Sequence, residues 1–490
     1  MKRIGLLSCA LVLCGALSMA WAQVPGAGFL PLAPYPPRAV VLTESDSGPE
    51  ILLLAQSLTS ARSVVLDVWN TDTGWRHLAA VDPTPAGSRN LPYSLLDVRD
   101  NIDGSRSYNF WHPVLDSAGA NIEVGRVFGS RLSNATTGSQ INTQLTTDGF
   151  LSLASFNFLQ HDATGNRIKR QTKVFKARPS LSPSTFSITP GSRANEVLFL
   201  KNPLRISTWD GLSWTALNKR IGPDRISVYL RFAPQSAYTA PGSNAGWLAL
   251  VQGEQISSAQ PGHNERVLLY EFNPSGSCAS GCERYNIGRP ASVSIMSPPL
   301  LLIREFPGQT RQINVWVSDE ATGHLWERHH NGSSWSAWVR HGTPPGAKGV
   351  RLESGVIWHD EAGRMRINLF GQENWQVSAT CTGVFLGGAL VERAWDGAVW
   401  QWGNREKPGR VGETITLNDS CIQTPSGHSQ LDPSRFVTDL DRQLPLRVGS
   451  AIAVQYPGGG YRLSVFAVDT RGKTHERVWD TRTGGNWVWQ

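Results

Sequence analysis

Three places in this sequence set a glutamate directly before an arginine on a stretch that alternates like a β-strand. They are Glu327-Arg328 in LWERHH, Glu392-Arg393 in LVERAW and Glu476-Arg477 in THERVW. Successive side chains of a strand point to opposite faces, so each Glu and its Arg look to different sides. Two chemistries are open to such a carboxylate. It can accept hydrogen bonds from the hydroxyls of a ligand in a pocket between sheets, beside an indole such as Trp326 or Trp316, with Arg328, Arg393 and Arg477 adding to the polar lining. It can instead pair with an arginine of a neighbouring sheet, for which Arg304, Arg366 and Arg462 are candidates. Either way it needs a partner, because a buried unpaired charge is costly. At the equivalent position the other units carry Leu66, Ile206 and Leu269, so this chemistry belongs to the last three units.

The element that carries each step is a hairpin written several times. Leu325–Trp338 reads LWERHHNGSSWSAW, with period-two strands either side of an Asn-Gly turn, and Leu390–Trp402 reads LVERAWDGAVWQW. Related stretches are Thr474–Trp489, Leu204–Trp214 and Val64–Trp75, and Val267–Tyr285 is a weaker copy with Phe272 for the first Trp. Repetition at this scale sets the architecture. From Arg38 onward, strand-like runs arrive in seven groups of four, each about 67 residues, with Gly and Pro at the joins. The expected fold is an all-β, seven-bladed β-propeller of four-stranded antiparallel blades over 38–490. Insertions are expected near 161–194, 374–388 and 411–444. The chain has 19 tryptophans, most at repeat positions. Facing sheets need a filling of about 10 Å, so Trp209, Trp214, Trp395, Trp400, Trp479 and Trp487 are expected to be packing residues.

Residues 1–22 read as a signal peptide: Lys2 and Arg3, an apolar run from Ile4 to Leu17, then Ala20-Trp21-Ala22 as the cleavage site. A Pro-rich lead-in follows over 23–37, and no other stretch is long and apolar enough to span a membrane. The expected product is exported, secreted or periplasmic. Four cysteines remain after cleavage, and an exported chain with an even number favours disulfides, here Cys278–Cys282 and Cys381–Cys421. The formal charge of +7 is dispersed, with no basic run of the kind that binds nucleic acid. His329 and His330 alternate to opposite faces and form no chelate with each other. Neither metal nor cofactor is expected.

The last three units resemble the seven-bladed lectin propellers of the fucose-binding and PLL-type bacterial families. The resemblance lies in a strand of the INVWV form (Ile313–Val317, Ile367–Phe370, Leu463–Ala467), a Gly turn, then LWxR, an acidic or amide-Gly turn, and WSxW. It implies a secreted protein without catalytic groups that binds monosaccharides between blades, with glycans or glycoconjugates as partners. Fucose-binding members carry an Arg on the second strand, where this chain has Asn314, Asn368 and Ser464.

Two other classes compete. A sialidase-like propeller glycoside hydrolase needs two carboxylates at a set distance, and Asp97, Glu305, Glu353 and Asp360 are candidates. Ser318–Gly323 does not match the repeated turn of that class, and nucleophile elbows, phosphate loops and HExxH are missing from the sequence. A protein-interaction scaffold using a flat face of the ring is the third reading.

Overall fold

In the computed structural model, side-chain surroundings are described for most of 37–77, 246–253, 265–271, 285–304, 310–373, 390–403, 448–468 and 474–490; elsewhere the description covers strands only. The segment expected to be a signal peptide (1–22), most of the expected lead-in (23–37), Cys278, Cys282, Cys381 and the stretch 374–388 expected to be an insertion lie outside the described residues, as does the side chain of Cys421.

The chain is all-β. Its strands form antiparallel sheets, and among the described residues the one helix is a 3-10 turn at Thr481–Thr483. Four sheets have four strands each, and three of them are plain meanders. The first comprises Arg38–Leu42, Glu50–Gln56, Val64–Asn70 and Gly74–Val81. Another runs Leu151–His161, Arg167–Ala177, Leu204–Trp209 and Trp214–Ile221. The Leu300 sheet holds Leu300–Arg304, Gln312–Ser318, Leu325–His330 and Val339–Gly342. The C-terminal sheet holds Leu446–Gln455, Tyr461–Asp469, Thr474–Asp480 and Trp487–Trp489. The Val350 sheet, between these last two, starts with Val350–His359, Met365–Glu373 and Leu390–Trp395.

Two sequence expectations are corrected. The stretch read as an insertion at 161–194 contains Arg167–Ala177, a full second strand paired with Leu151–His161 on one side and Leu204–Trp209 on the other. Nor do the groups of four follow chain order throughout: Val197–Leu200, which precedes the Leu204–Trp214 hairpin, pairs with Val228–Arg231 in the following sheet. Strand pairing is decided by which edge is left open, and periodicity alone does not report that.

The turns of the repeated hairpins have a local cause. Asn331 Oδ1 accepts the backbone N–H groups of Ser333 and Ser334 at 3.0 Å each. Asp396 does the same for Ala398 and Val399, and Asn70 for Asp72 and Thr73. Short polar side chains that bond the backbone two and three residues on reverse the chain. Gly332 and Gly397 follow with φ of 99° and 104°, which a residue with a Cβ rarely adopts.

Apolar faces then stack sheet on sheet. Trp247, Ala249, Val267 and Leu269 meet Leu301, Ile303, Ile313 and Val315. On its other face the Leu300 sheet presents Leu300, Leu302, Trp316 and Leu325 to Val350, Ile367, Leu369 and Val391. Phe370 and Leu390 meet Leu463, Val465 and Ala467 of the C-terminal sheet. That sheet's far side, with Val454 and Phe466, packs on Ile51, Leu53 and Trp69 of the first sheet. The C-terminal and N-terminal sheets are therefore neighbours. Trp395, Trp400, Trp479 and Trp487 pack against these layers as half-buried residues; the side chains of Trp209 and Trp214 lie outside the described residues.

Candidate functional site: the glutamate-arginine steps

The alternation of strand side chains sorts each step in the same way. Glu327, beside Leu325 and opposite Trp316, is on the face turned to the Val350 sheet, while Arg328 shares its face with Trp326 and turns to the preceding sheet. Glu392 and Glu476 likewise face the sheet that follows, and Arg393 and Arg477 the sheet that precedes. Glu327 and Glu392 are thus offered to the next sheet's Arg, and Glu476 to the first sheet.

All three carboxylates are buried, at 5%, 8% and 6% exposure for Glu327, Glu392 and Glu476. Asn314 Nδ2 donates to Glu327 Oε1 at 2.5 Å, and Arg304 Nη2 donates to Asn314 Oδ1 at 3.0 Å. Glu327 Oε2 lies 2.8 Å from His341 Nε2, whose Nδ1 is 3.4 Å from Arg393 Nη2. His341 thus bridges the carboxylate to the next sheet's guanidinium, and its ring meets Trp400 edge-on at 5.7 Å. Burial lowers the pKa of Arg304 and of Arg393, and the Glu327 charge opposes that shift in both.

The second copy keeps the plan with different donors. Trp358 Nε1 donates to Asn368 Oδ1 at 2.7 Å, and Asn368 Nδ2 donates to Glu392 Oε1 at 2.6 Å. Glu392 Oε2 is 3.5 Å from Arg477 Nη1, so the next-sheet pair is direct here. In the third copy Arg462 Nη2 donates to Glu476 Oε1 at 2.9 Å, and Arg462 Nε to Ser464 at 3.2 Å. The first sheet has Asp67 where its siblings have Arg, so Trp75 Nε1 supplies the donor to Glu476 Oε2 at 2.8 Å. Hydrogen-bonded relays of this kind satisfy a carboxylate that burial would otherwise penalise.

Of the residues expected to line a sugar pocket, Trp326, Arg328 and Arg393 are half-buried, and Arg477 is buried beside the Trp487 ring at 4.2 Å. Trp316 is corrected: at 1% exposure, edge-on to Trp400 at 6.2 Å, it belongs to the packing between sheets and presents no face to a ligand. Among the candidate arginines, Arg304 reaches Glu327 through Asn314 and Arg462 holds Glu476 from its own sheet. Arg366 is taken by Asp360 at 2.8 Å. The sequence reading missed His341 and Trp75 as carboxylate partners. His341 could have been found from its place on the outer strand; Trp75 is 401 residues from Glu476 and carries no local signal.

The carboxylates considered for glycoside hydrolysis are differently placed. Glu353 lies 2.6 Å from Arg351, both buried. Burial would raise the pKa of Asp360, but the backbone N–H of Arg364 and the guanidinium groups of Arg366 and Arg364 bring it down to about 2. A general acid needs the opposite shift. The side chains of Asp97 and Glu305 lie outside the described residues. No group of three or more potential metal ligands occurs among the described residues.

A scan against family models finds no match, and no curated protein matches the sequence. Solved structures give distant similarities. AofleA from Arthrobotrys oligospora is 11% identical, with a TM-score of 0.36 over 81% of this chain and 88% of that one. A sialidase, Hadza microbial sialidase Hz136, is 11% identical, with a TM-score of 0.40 over 87% of this chain and 75% of that one. A prolyl endopeptidase is 9% identical, with a TM-score of 0.39; it aligns over 100% of this chain and 60% of its own length.

Proposed function

We propose that the sheets close into a seven-bladed propeller and that this exported ring binds carbohydrate without catalysis. Support for the ring comes from the order of neighbours. Arg38–Leu42 lies beside Leu95–Asp100, which lies beside Leu151–His161, and that strand lies beside Gly246–Ser257. The series continues through Leu300–Arg304, Val350–His359 and Leu446–Gln455, which returns to Arg38–Leu42.

The observation that carries the binding reading is the repeated rim of half-buried indoles beside arginine. Arg328 lies 5.9 Å from the Trp335 ring, Arg393 4.7 Å from Trp402, and Arg477 4.2 Å from Trp487. Trp338, Trp400 and Trp489 stand next to them, also half-buried. Indoles with one face packed and one edge wet suit ligands that are apolar on one side and hydroxylated on the other. Buried glutamates hold two of these platforms, fixing Arg393 through His341 and Arg477 directly, and so the rings over which those arginines lie. Repetition around a ring makes such sites multivalent, and avidity would exceed single-site affinity.

A glycan array with the mature chain tests this. Binding to defined glycans, weakened at least tenfold by Trp400→Ala in a folded protein, is the expected result. Failure to bind any glycan, together with hydrolysis of a chromogenic glycoside, would sink it in favour of the hydrolase class.

A further inference from the structure

One described interface sets an arginine opposite an apolar residue where its neighbours set a glutamate. In the two interfaces that follow, the face-to-face partner of the arginine is a glutamate: Glu327 reaches Arg393 through His341, and Glu392 lies 3.5 Å from Arg477. Arg328 faces the sheet of Gly246–Ser257 and Gln260–Phe272, where the glutamate position is Leu269, fully buried on the face turned to Arg328. Among the described residues no carboxylate meets Arg328. It spends Nε on the Ser336 carbonyl at 2.9 Å and Nη1 on the Ile287 carbonyl, and it stays half-buried.

The same interface holds other donors without acceptors, the Trp247 indole N–H among them. The indole nitrogens of Trp326 and Trp338 are buried and have no hydrogen-bond partner, although both rings pack in this interface. Unmet buried donors are uncommon and cost free energy. Here they accompany a guanidinium that meets no carboxylate among the described residues, and all of these donors call for an acceptor. Trp335 adds an aromatic face, with His330 against it at 5.1 Å. Burial lowers the pKa of His330, and its Nδ1 accepts the Gly332 N–H at 3.1 Å, so it stays neutral near pH 7. The described carboxylates on that strand face are already engaged: Glu271 lies 2.8 Å from Arg311, and Glu265 accepts the Met296 N–H.

We propose that the groove between the 246–288 sheet and the Leu300 sheet binds an acidic, carboxylate-bearing sugar, whose carboxylate takes beside Arg328 the place that glutamates hold beside Arg393 and Arg477. This rests on the carbohydrate-binding reading and sharpens it: one interface is selective for uronic or sialic acid residues, and its neighbours, already filled by glutamate, take neutral sugars. A planar guanidinium prefers such a carboxylate to a hydroxyl because the pair is charge-assisted and can be bidentate.

Titration calorimetry with D-galacturonate and D-galactose, which differ at C6 alone, tests the inference alongside a glycan array. The acid should bind at least about tenfold more tightly, the scale of one charge-assisted hydrogen bond. Arg328→Gln should abolish that preference while neutral glycans remain bound. Leu269→Glu leaves the arginine in place and installs the missing carboxylate; it should lose the acid and keep the neutral glycans. Equal binding of acid and neutral sugar by the unaltered protein, or a preference untouched by both substitutions, overturns the proposal. Neutral glycans bound with no acidic glycan overturns it alone; no glycan of either kind overturns the carbohydrate reading with it.

Discussion

Trp75 donates its indole N–H to Glu476 at 2.8 Å, joining residues 401 positions apart and fastening the N-terminal sheet to the C-terminal one. The same indole meets Phe466 edge-on, with ring centres 5.7 Å apart and planes at 85°. One side chain therefore supplies both the polar and the aromatic contact at this seam.

Trp75→Phe would keep the aromatic contact and delete the donor. Glu476 would retain Arg462 on Oε1 and lose its partner on Oε2. A loss of about 1–3 kcal/mol is expected from a buried acceptor left unmet. Urea unfolding of the variant against the parent measures it; unchanged stability would show that water replaces the indole at no cost.

Glu392→Gln removes the charge that faces Arg477 and leaves Asn368 a neutral acceptor. Breaking one side of a buried ion pair costs about 3–5 kcal/mol, whereas replacing both partners by apolar residues is often close to neutral. Glu392→Leu combined with Arg477→Leu should therefore be more stable than Glu392→Gln alone. A double variant as unstable as the sum of its single changes would mean the two residues do not act as a pair.

Gly449 tests the same seam through the backbone. A Cβ there would sit 2.1 Å from the Pro37 carbonyl oxygen, which is backbone and cannot step aside. Ser450 N donates to that oxygen at 3.0 Å, and Ala39 N donates to the Ser450 hydroxyl at 3.0 Å. Gly449→Ala should thus push the first strand off the last sheet. Limited proteolysis is expected to cut near 37–42 in the variant and not in the parent; equal resistance would place the strand elsewhere.

The acid limb of stability has an assigned contributor in Asp360. Its folded pKa, about 2, lies below the ordinary carboxylate value, so its stabilising effect is present above that value and is lost as pH falls through about 2. Asp360→Asn should flatten the stability profile between roughly pH 4 and 2 and lower stability near pH 7. A profile with the same slope in both proteins would assign the acid sensitivity to other carboxylates.

Much of the fold was legible in the residues. The Asn-Gly and Asp-Gly turns of 331–332 and 396–397 act through bonds to their own neighbours, so the hairpins could be read locally. The face on which each Glu and Arg lies followed from the two-residue period, with no knowledge of neighbours. The alignment that puts Leu269 at a glutamate position was likewise a property of the repeats, and it marks the groove where Arg328 meets no described carboxylate.

Tertiary structure alone decided what those faces meet. That Arg477 serves Glu392, that His341 stands between Glu327 and Arg393, and that Trp75 substitutes for an absent arginine depend on which sheets stack, and stacking joins residues far apart in the chain. The membership of Arg167–Ala177 in a sheet was hidden for a related reason: a strand is recognised by the edge it completes. The chain by itself determined strands, turns and the two sides of each step; packing determined which charges found partners and which cation met no described carboxylate.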